Sequence, residues 1–405
     1  MWLPTGTNVI EMIHLMTMAT GVYLHIPFCK SRCSYCDFAT DVWRSGEAVE
    51  RYVGALCREI EGGNPSSSKG VSALSRNNTL PTGRVSAFAV DTIYFGGGTP
   101  SLLEPEQVEN IIYSVNSVFS VAEDTEITME MNPATVTAKT LAAYREIGVN
   151  RASFGVQTFN DRDLKLLARG HDANDARQTF RLLRDAGFTN VSFDLIAGLP
   201  GQTLNDWRRN LEEAVSMEPE HLSLYLLEIH EGTPLAEQLR SGRRQMPDDE
   251  LAAEMYEAMI NTLVSAGYHQ YEISNFAKPG FESRHNTKYW RLEPVFGFGV
   301  SAHSFDGFER YANERDTAKY VERIENFAGA EVFRERIDAA SESVFLGLRL
   351  NEGVDIAEHK ARFGVDLREG IAGLSENGLV EVADGRLRLT RKGMLFSNEV
   401  FAEFV

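Results

Sequence analysis

From Gly21 to Leu227 the chain repeats one pattern. Short runs rich in β-branched and aromatic residues, Gly21–Ile26, Asp91–Phe95, Glu126–Met131, Arg151–Val156, Asn190–Ile196 and His221–Leu227, predict strands. Between them lie stretches with apolar positions at helical spacing: Pro105–Phe119, Ala138–Ile147, Ala173–Ala186 and Leu204–Met217. Six β-then-α units in a row predict a parallel sheet with crossover helices. Right-handed connections curl such a series towards an open, partial (β/α)6 barrel of the α/β class. The first crossover carries an insertion, residues 62–84, rich in Ser, Asn, Gly and Pro, which predicts a flexible surface loop.

After about Arg336 the pattern changes. Ser343–Leu350 and Leu367–Asn377 predict helices, and Leu379–Val382 and Arg386–Thr390 flank the turn pair Asp384-Gly385. The chain therefore divides into a barrel unit, residues 21–335, and a small winged-helix-like α+β domain, residues 336–405. Residues 1–20 carry Glu11 and His14 with no basic start or small-residue cleavage site. They read as an N-terminal extension and not as a secretory signal.

Composition narrows the function. Hydrophobic residues make up 43% of the 405, enough for a packed core, and the net charge is −18. An acidic surface argues against binding nucleic acid through its phosphates. The terminal domain agrees: residues 337–405 hold eight Lys/Arg against twelve Asp/Glu, the wrong sign for a DNA-binding wing. No run of eighteen apolar residues occurs, so no membrane-spanning helix is expected, and the protein is expected in the cytoplasm.

Three of the four cysteines crowd into Cys29-Lys-Ser-Arg-Cys33-Ser-Tyr35-Cys36. A disulfide framework would spread them along a short exported chain. A structural zinc site would need a second Cys-x2-Cys knuckle, and Cys57 lies in a helical pattern that suits an inert buried thiol. Three thiolates on one tight loop suit a [4Fe–4S] cluster with three irons held by protein and one left open for a small chelating ligand; zinc and inert thiols are the alternatives. The expected strand ends, where barrel chemistry sits, are polar or bare. They carry Gly96-Gly97-Gly98-Thr99-Pro100, then Glu130 and Asn132, then Gln157, Asp194, Tyr225 and Glu228. A glycine run there lets backbone approach a ligand closely, though it is also a common turn. Glu130 and Asp194, taken singly, could equally be structural partners of a barrel cation.

The cysteine spacing followed by Gly96-Gly97-Gly98-Thr99-Pro100 resembles the radical S-adenosylmethionine superfamily. The flanks Tyr23-x-His25-Ile-Pro27-Phe-Cys29 and Gly155-Val-Gln157-Thr-Phe159 are similar to its coproporphyrinogen-dehydrogenase branch. That resemblance implies a [4Fe–4S] cluster on Cys29, Cys33 and Cys36 that chelates S-adenosylmethionine. An electron donor would drive sulfonium cleavage to methionine and a 5′-deoxyadenosyl radical. By motif correspondence it sets Tyr23 beside the cluster, Gly97, Gly98 and Thr99 against the methionine part, and Glu130 on the nucleotide. It also gives Tyr35, Gln157, Arg169 and Asp194 to positions associated with a second molecule.

The oxidase of that branch has a fourth cysteine in a Cys-x-Cys arrangement, whereas Cys36 here is followed by Asp37-Phe38-Ala39. Tyr35-Cys36-Asp37-Phe38 and His285-Asn286-x-x-Tyr289-Trp290 instead resemble the HemW-type haem chaperones. This implies a protein that binds haem and hands it to an acceptor protein, with His285 as the candidate haem contact. His303, in Gly297-Phe-Gly299-Val-Ser-Ala302-His303, is the rival. The plainer readings are a satisfied loop histidine and tight Gly-rich packing. Oxidative decarboxylation of coproporphyrinogen propionates is the alternative activity, with Arg169 as a candidate carboxylate holder, and a barrel keeping its cluster only for stability is a third reading. The family also implies transient membrane contact, which no basic amphipathic helix in the sequence supports.

Overall fold

The computed structural model of the protein describes residues 19–42, 45–63 and 89–405. The N-terminal extension, apart from its last two residues, and nearly all of the insertion expected at 62–84 lie outside the described residues. Six parallel strands form in sequence order: β1 Thr20–Ile26, β2 Ala89–Gly97, β3 Ser120–Met131, β4 Arg151–Gln157, β5 Val191–Ala197 and β6 His221–Leu226. Four of the crossovers carry the expected helices: α1 Pro105–Val118, α2 Ala138–Ile147, α3 Ala173–Asp185 and α4 Leu204–Ser216. The starts of α2 to α4 follow from chemistry: Thr137, Asp172 and Thr203 each accept a hydrogen bond from the backbone three residues on.

The barrel strands alternate strictly. Val22, Leu24, Ile93, Phe95, Ile127, Met129, Ala152, Phe154, Phe193, Leu195, Leu222 and Leu224 face the helices and join one buried core. The intervening positions, Tyr23, His25, Thr92, Tyr94, Thr128, Glu130, Arg151, Ser153, Ser192, Asp194, His221 and Ser223, turn to the concave side. Burial of apolar surface holds the shell together, while the inside is polar.

The sheet extends beyond the expected six strands. Val295–Phe298 adds to β1 in parallel, followed by antiparallel His303–Phe305, Glu309–Asn313 and Glu331–Arg336; Asn275–Ala277 and His269–Gln270 extend the other edge. Two to six residues each, most of these strands are too short to show a period of their own. In the C-terminal part, the hairpin expected around Asp384-Gly385 forms as Val380–Ala383 with Arg386–Leu389. Val344, Leu348, Ile356, Leu367, Leu387 and Val400 make a core separate from the barrel's. The helix expected from Ser343 begins earlier, at Ala339, because Asp338 caps it, and the stretch expected as one helix from Leu367 breaks at Gly370. A further helix, Ile356–Phe363, has too few apolar positions to announce itself in sequence.

Gly299 shows how the added strand is seated. Its φ is +98°, and a Cβ there would stand 2.6 Å from Tyr52 Oη and 2.7 Å from the His25 carbonyl. Its amide donates to Glu59, a buried carboxylate that also accepts from Tyr320 and Asn313. Gly299→Ala should therefore lower the unfolding free energy by about 1–3 kcal/mol in denaturant titration; an unchanged midpoint would mean the segment can move aside.

Candidate functional site

The cysteine loop leaves β1 through Pro27 and is closed at its base by Phe28–Cys29 pairing in parallel with Asp41–Val42. Cys29, Cys33 and Cys36 are half-buried free thiols. The loop has little regular structure, and Ser34, buried at its centre, fixes it from outside. Its amide donates to the Leu167 carbonyl (2.9 Å), its hydroxyl to the Leu166 carbonyl (2.9 Å), and its carbonyl accepts from Leu235 N (2.8 Å). His25 holds the far end: Nε2 donates to the Ala39 carbonyl at 2.9 Å, so Nδ1 is the acceptor for the Tyr23 hydroxyl at 3.1 Å. Burial pushes His25 down, keeping it neutral.

A polar chain connects two of the sulfurs. Thr99 Oγ1 donates to Cys29 Sγ (3.6 Å) and accepts from Asn132 Nδ2 (2.7 Å). Arg169 donates to Cys33 Sγ (3.5 Å), Asn132 Oδ1 (2.5 Å) and the Gly155 carbonyl (2.8 Å). Tyr35 lies against the same guanidinium. Burial pushes the Cys29 and Cys36 thiols up, so both hold their protons until a metal displaces them. Among the described residues no three His, Cys, Asp or Glu side chains converge as tightly as one metal ion requires. A donor set of three sulfurs alone, two of them receiving hydrogen bonds, fits an iron–sulfur cluster, whose ligands stand further apart than those of a single ion.

Next to the loop, Glu130 accepts from Tyr94 Oη (2.8 Å) and Gly97 N (3.1 Å). Burial raises its pKa to about 7, eased by the Tyr94 bond. Burial also raises Asp194, which Ser223, Arg151 and Ser153 moderate. The charge facing both is Arg151, 1% exposed, with no partner for its Nε among the described residues. The glycine run packs inward: a Cβ on Gly96 would strike the Tyr23 ring, one on Gly97 the His25 ring, and one on Gly98 the Pro27 carbonyl. At Gly155 the missing side chain makes room for Gln157 Nε2 and Arg169 Nη2, and Gln157 itself sits at φ +66° on a bulge. The structure thus gathers Tyr23, Tyr35, Gly97, Gly98, Thr99, Glu130, Gln157, Arg169 and Asp194 around the mouth that the cysteine loop covers.

His285 is elsewhere. Its helix, Arg284–Trp290, closes the barrel at the strand starts, and the ring is 1% exposed. Nδ1 meets Thr92 Oγ1 (2.9 Å), Nε2 meets Tyr289 Oη (3.2 Å), and the ring stacks on Tyr94 with centroids 5.0 Å apart. Burial pushes its pKa down to about 3. Both nitrogens are engaged, and the ring expected as a haem contact is a buried residue of the barrel floor. His303 is exposed at the start of its strand, with the cations Arg310 and Arg315 close by.

Residues 23–214 match the family model of the Radical SAM superfamily, and residues 335–396 that of the HemN C-terminal domain. The heme chaperone HemW of Bacillus subtilis (strain 168) is 36% identical over 394 residues, covering 95% of this chain and 99% of that protein. This chain belongs to the HemW family of radical S-adenosylmethionine proteins. The heme chaperone HemW of Mycobacterium tuberculosis (strain ATCC 25618 / H37Rv) is 34% identical over 385 residues, 94% of this chain and 93% of its own length. The solved coproporphyrinogen III oxidase HemN of Escherichia coli superposes with a TM-score of 0.80 at 24% identity, over 98% of this chain and 92% of that one, and so shares the fold.

Several residues of this HemW-family barrel escaped the sequence reading: Tyr94, Arg151, Ser153 and Ser223 on the concave side, and Ser34 in the loop. A period-two column of polar residues within otherwise apolar strands was the available signal for the first four; Ser34 had none. Two outcomes test the geometry. His285→Ala leaves the Thr92 and Tyr289 hydroxyls unpaired and should cost about 1–3 kcal/mol in denaturant unfolding. Glu130 has a folded-state pKa above its unfolded value, so its share of stability is present in acid and is lost as pH rises from 4.5 through about 7. Relative to wild type, Glu130→Gln should therefore gain about 1–2 kcal/mol between pH 5.5 and pH 8; a constant difference would show the carboxyl titrates normally.

Proposed function

We propose that this protein is a haem chaperone of the cytoplasm, built on a radical S-adenosylmethionine barrel: it binds haem and passes it to an acceptor protein. The carrying observation is the near-full-length likeness to proteins named heme chaperone HemW. The loop supports it: where the oxidase's fourth cysteine would stand, Phe38 is present and 64% exposed.

Cys29, Cys33 and Cys36 would hold a [4Fe–4S] cluster, and Glu130, Tyr23, Gly97, Gly98 and Thr99 would receive S-adenosylmethionine, with Tyr35, Gln157, Arg169 and Asp194 lining the adjoining space. When bound, that pair of cofactors supplies one-electron reduction of a sulfonium, for which an electron donor is needed. The chain's part is positional. Thr99 and Arg169 point N–H and O–H groups at ligand sulfurs, Ser34 and His25 hold the loop, and Gln157 and Arg169 occupy the gap that Gly155 leaves.

Anaerobic reconstitution should give about four irons and four sulfides per chain, lost in the variant with Cys29→Ala, Cys33→Ala and Cys36→Ala. The decisive experiment sets haem titration beside incubation with coproporphyrinogen, S-adenosylmethionine and a reductant. Saturable haem binding without protoporphyrinogen formation is expected; turnover at an oxidase's rate would overturn the chaperone reading.

A further inference from the structure

We infer that haem docks on the rim of the barrel mouth, where the His230 imidazole ligates its iron through Nε2 and the Asp37 carboxylate orients that ring. The inference rests on the haem-chaperone reading and gives it a site.

Eight histidines fall among the described residues, and five of them (His25, His171, His221, His285 and His359) are buried. Of the three on the surface, His269 is paired through Nε2, the outer ring nitrogen, with Glu282 at 2.6 Å. It lines a cavity of about 630 Å³ at the opposite end of the barrel, whose walls carry Asp91, Glu282, Arg284 and Lys288. These charged groups, with Nε2 of His269 already engaged by Glu282, suit a polar ligand better than a macrocycle. Among the described residues no carboxylate pairs with His303, whose charged neighbours are Arg310 and Arg315.

His230 has each missing feature. Asp37 Oδ2 lies 3.5 Å from its Nδ1, and both side chains are open to solvent, 43% and 44% exposed. A carboxylate at Nδ1 favours the tautomer with Nε2 unprotonated and outward, the arrangement used by metal-binding histidines. The backbone beneath is fixed: the His230 carbonyl accepts from Thr233 Oγ1 at 2.8 Å, and Leu235, two residues further on, donates to Ser34. The loops bearing Asp37 and His230 are therefore joined at one buried residue. Next to the pair along the chain stand two large apolar side chains left in water, Phe38 at 64% and Ile229 at 38% exposed. A flat ring and an aliphatic branch on one rim suit a porphyrin face. Arg315, exposed and donating to the Asp37 carbonyl at 3.3 Å, supplies a cation for a propionate.

Haem titration of the reconstituted protein, followed by Soret absorbance, tests this. His230→Ala should bind about tenfold or more weakly and lose the imidazole-ligated spectrum, with millimolar imidazole restoring it. Asp37→Asn should weaken binding by about tenfold, and His269→Ala, His285→Ala and His303→Ala should match wild type. Because His230 is exposed, its variant should keep the wild-type melting temperature. If wild type takes up no haem, the chaperone reading itself fails. If wild type binds haem and His230→Ala gives the same affinity and spectrum, or if only the His269 or His303 variant loses it, the rim site is wrong while the chaperone reading stands.

Discussion

A barrel with polar residues along its concave face must satisfy each of them from across the strands, because an unpaired buried group costs more than a hydrogen bond returns. That requirement organises the molecule. From the floor upward, Thr92 meets His285, His285 meets Tyr289 and stacks on Tyr94, and Tyr94 donates to Glu130. Glu130 then takes the Gly97 amide, which tilts the glycine run against β1 and the cysteine loop. Floor, interior and mouth are thus one connected network, with a carboxyl of pKa about 7 as its upper junction.

The cysteine loop needs such help because it has almost no structure of its own. Ser34 ties it to the connection after β4 and to the helix after β6, elements far away in sequence. Three hydrogen bonds on a buried residue are a modest investment, yet they set where three sulfurs stand relative to Thr99 and Arg169. The same residue unites the two loops that carry Asp37 and His230, so a cluster site and a haem rim would share one mechanical anchor.

A TM-score of 0.80 with the solved oxidase, at 24% identity, shows how little the fold says about activity. The two proteins share the same shell. On the cysteine loop of this chain, Phe38 presents an exposed aromatic ring. An exposed ring is a poor hydrogen-atom or proton donor and a good surface for a flat apolar ligand.

The amino-acid order alone determined what depends on short range. The cysteine spacing, the glycine run, the helix caps at Thr137, Asp172 and Thr203 and the six strand periods are local, so one stretch of chain carries each signal. The polar groups at the strand ends were legible for the same reason. Tertiary structure alone decided which histidine is open. His285 is bonded to Thr92 across 193 residues, and no spacing rule shows that its helix closes the barrel floor. His230 and Asp37 come from opposite ends of the barrel's strand order and meet only because the sheet curls. Accessibility and partnership are properties of surfaces brought together by folding, and a linear pattern holds no record of them.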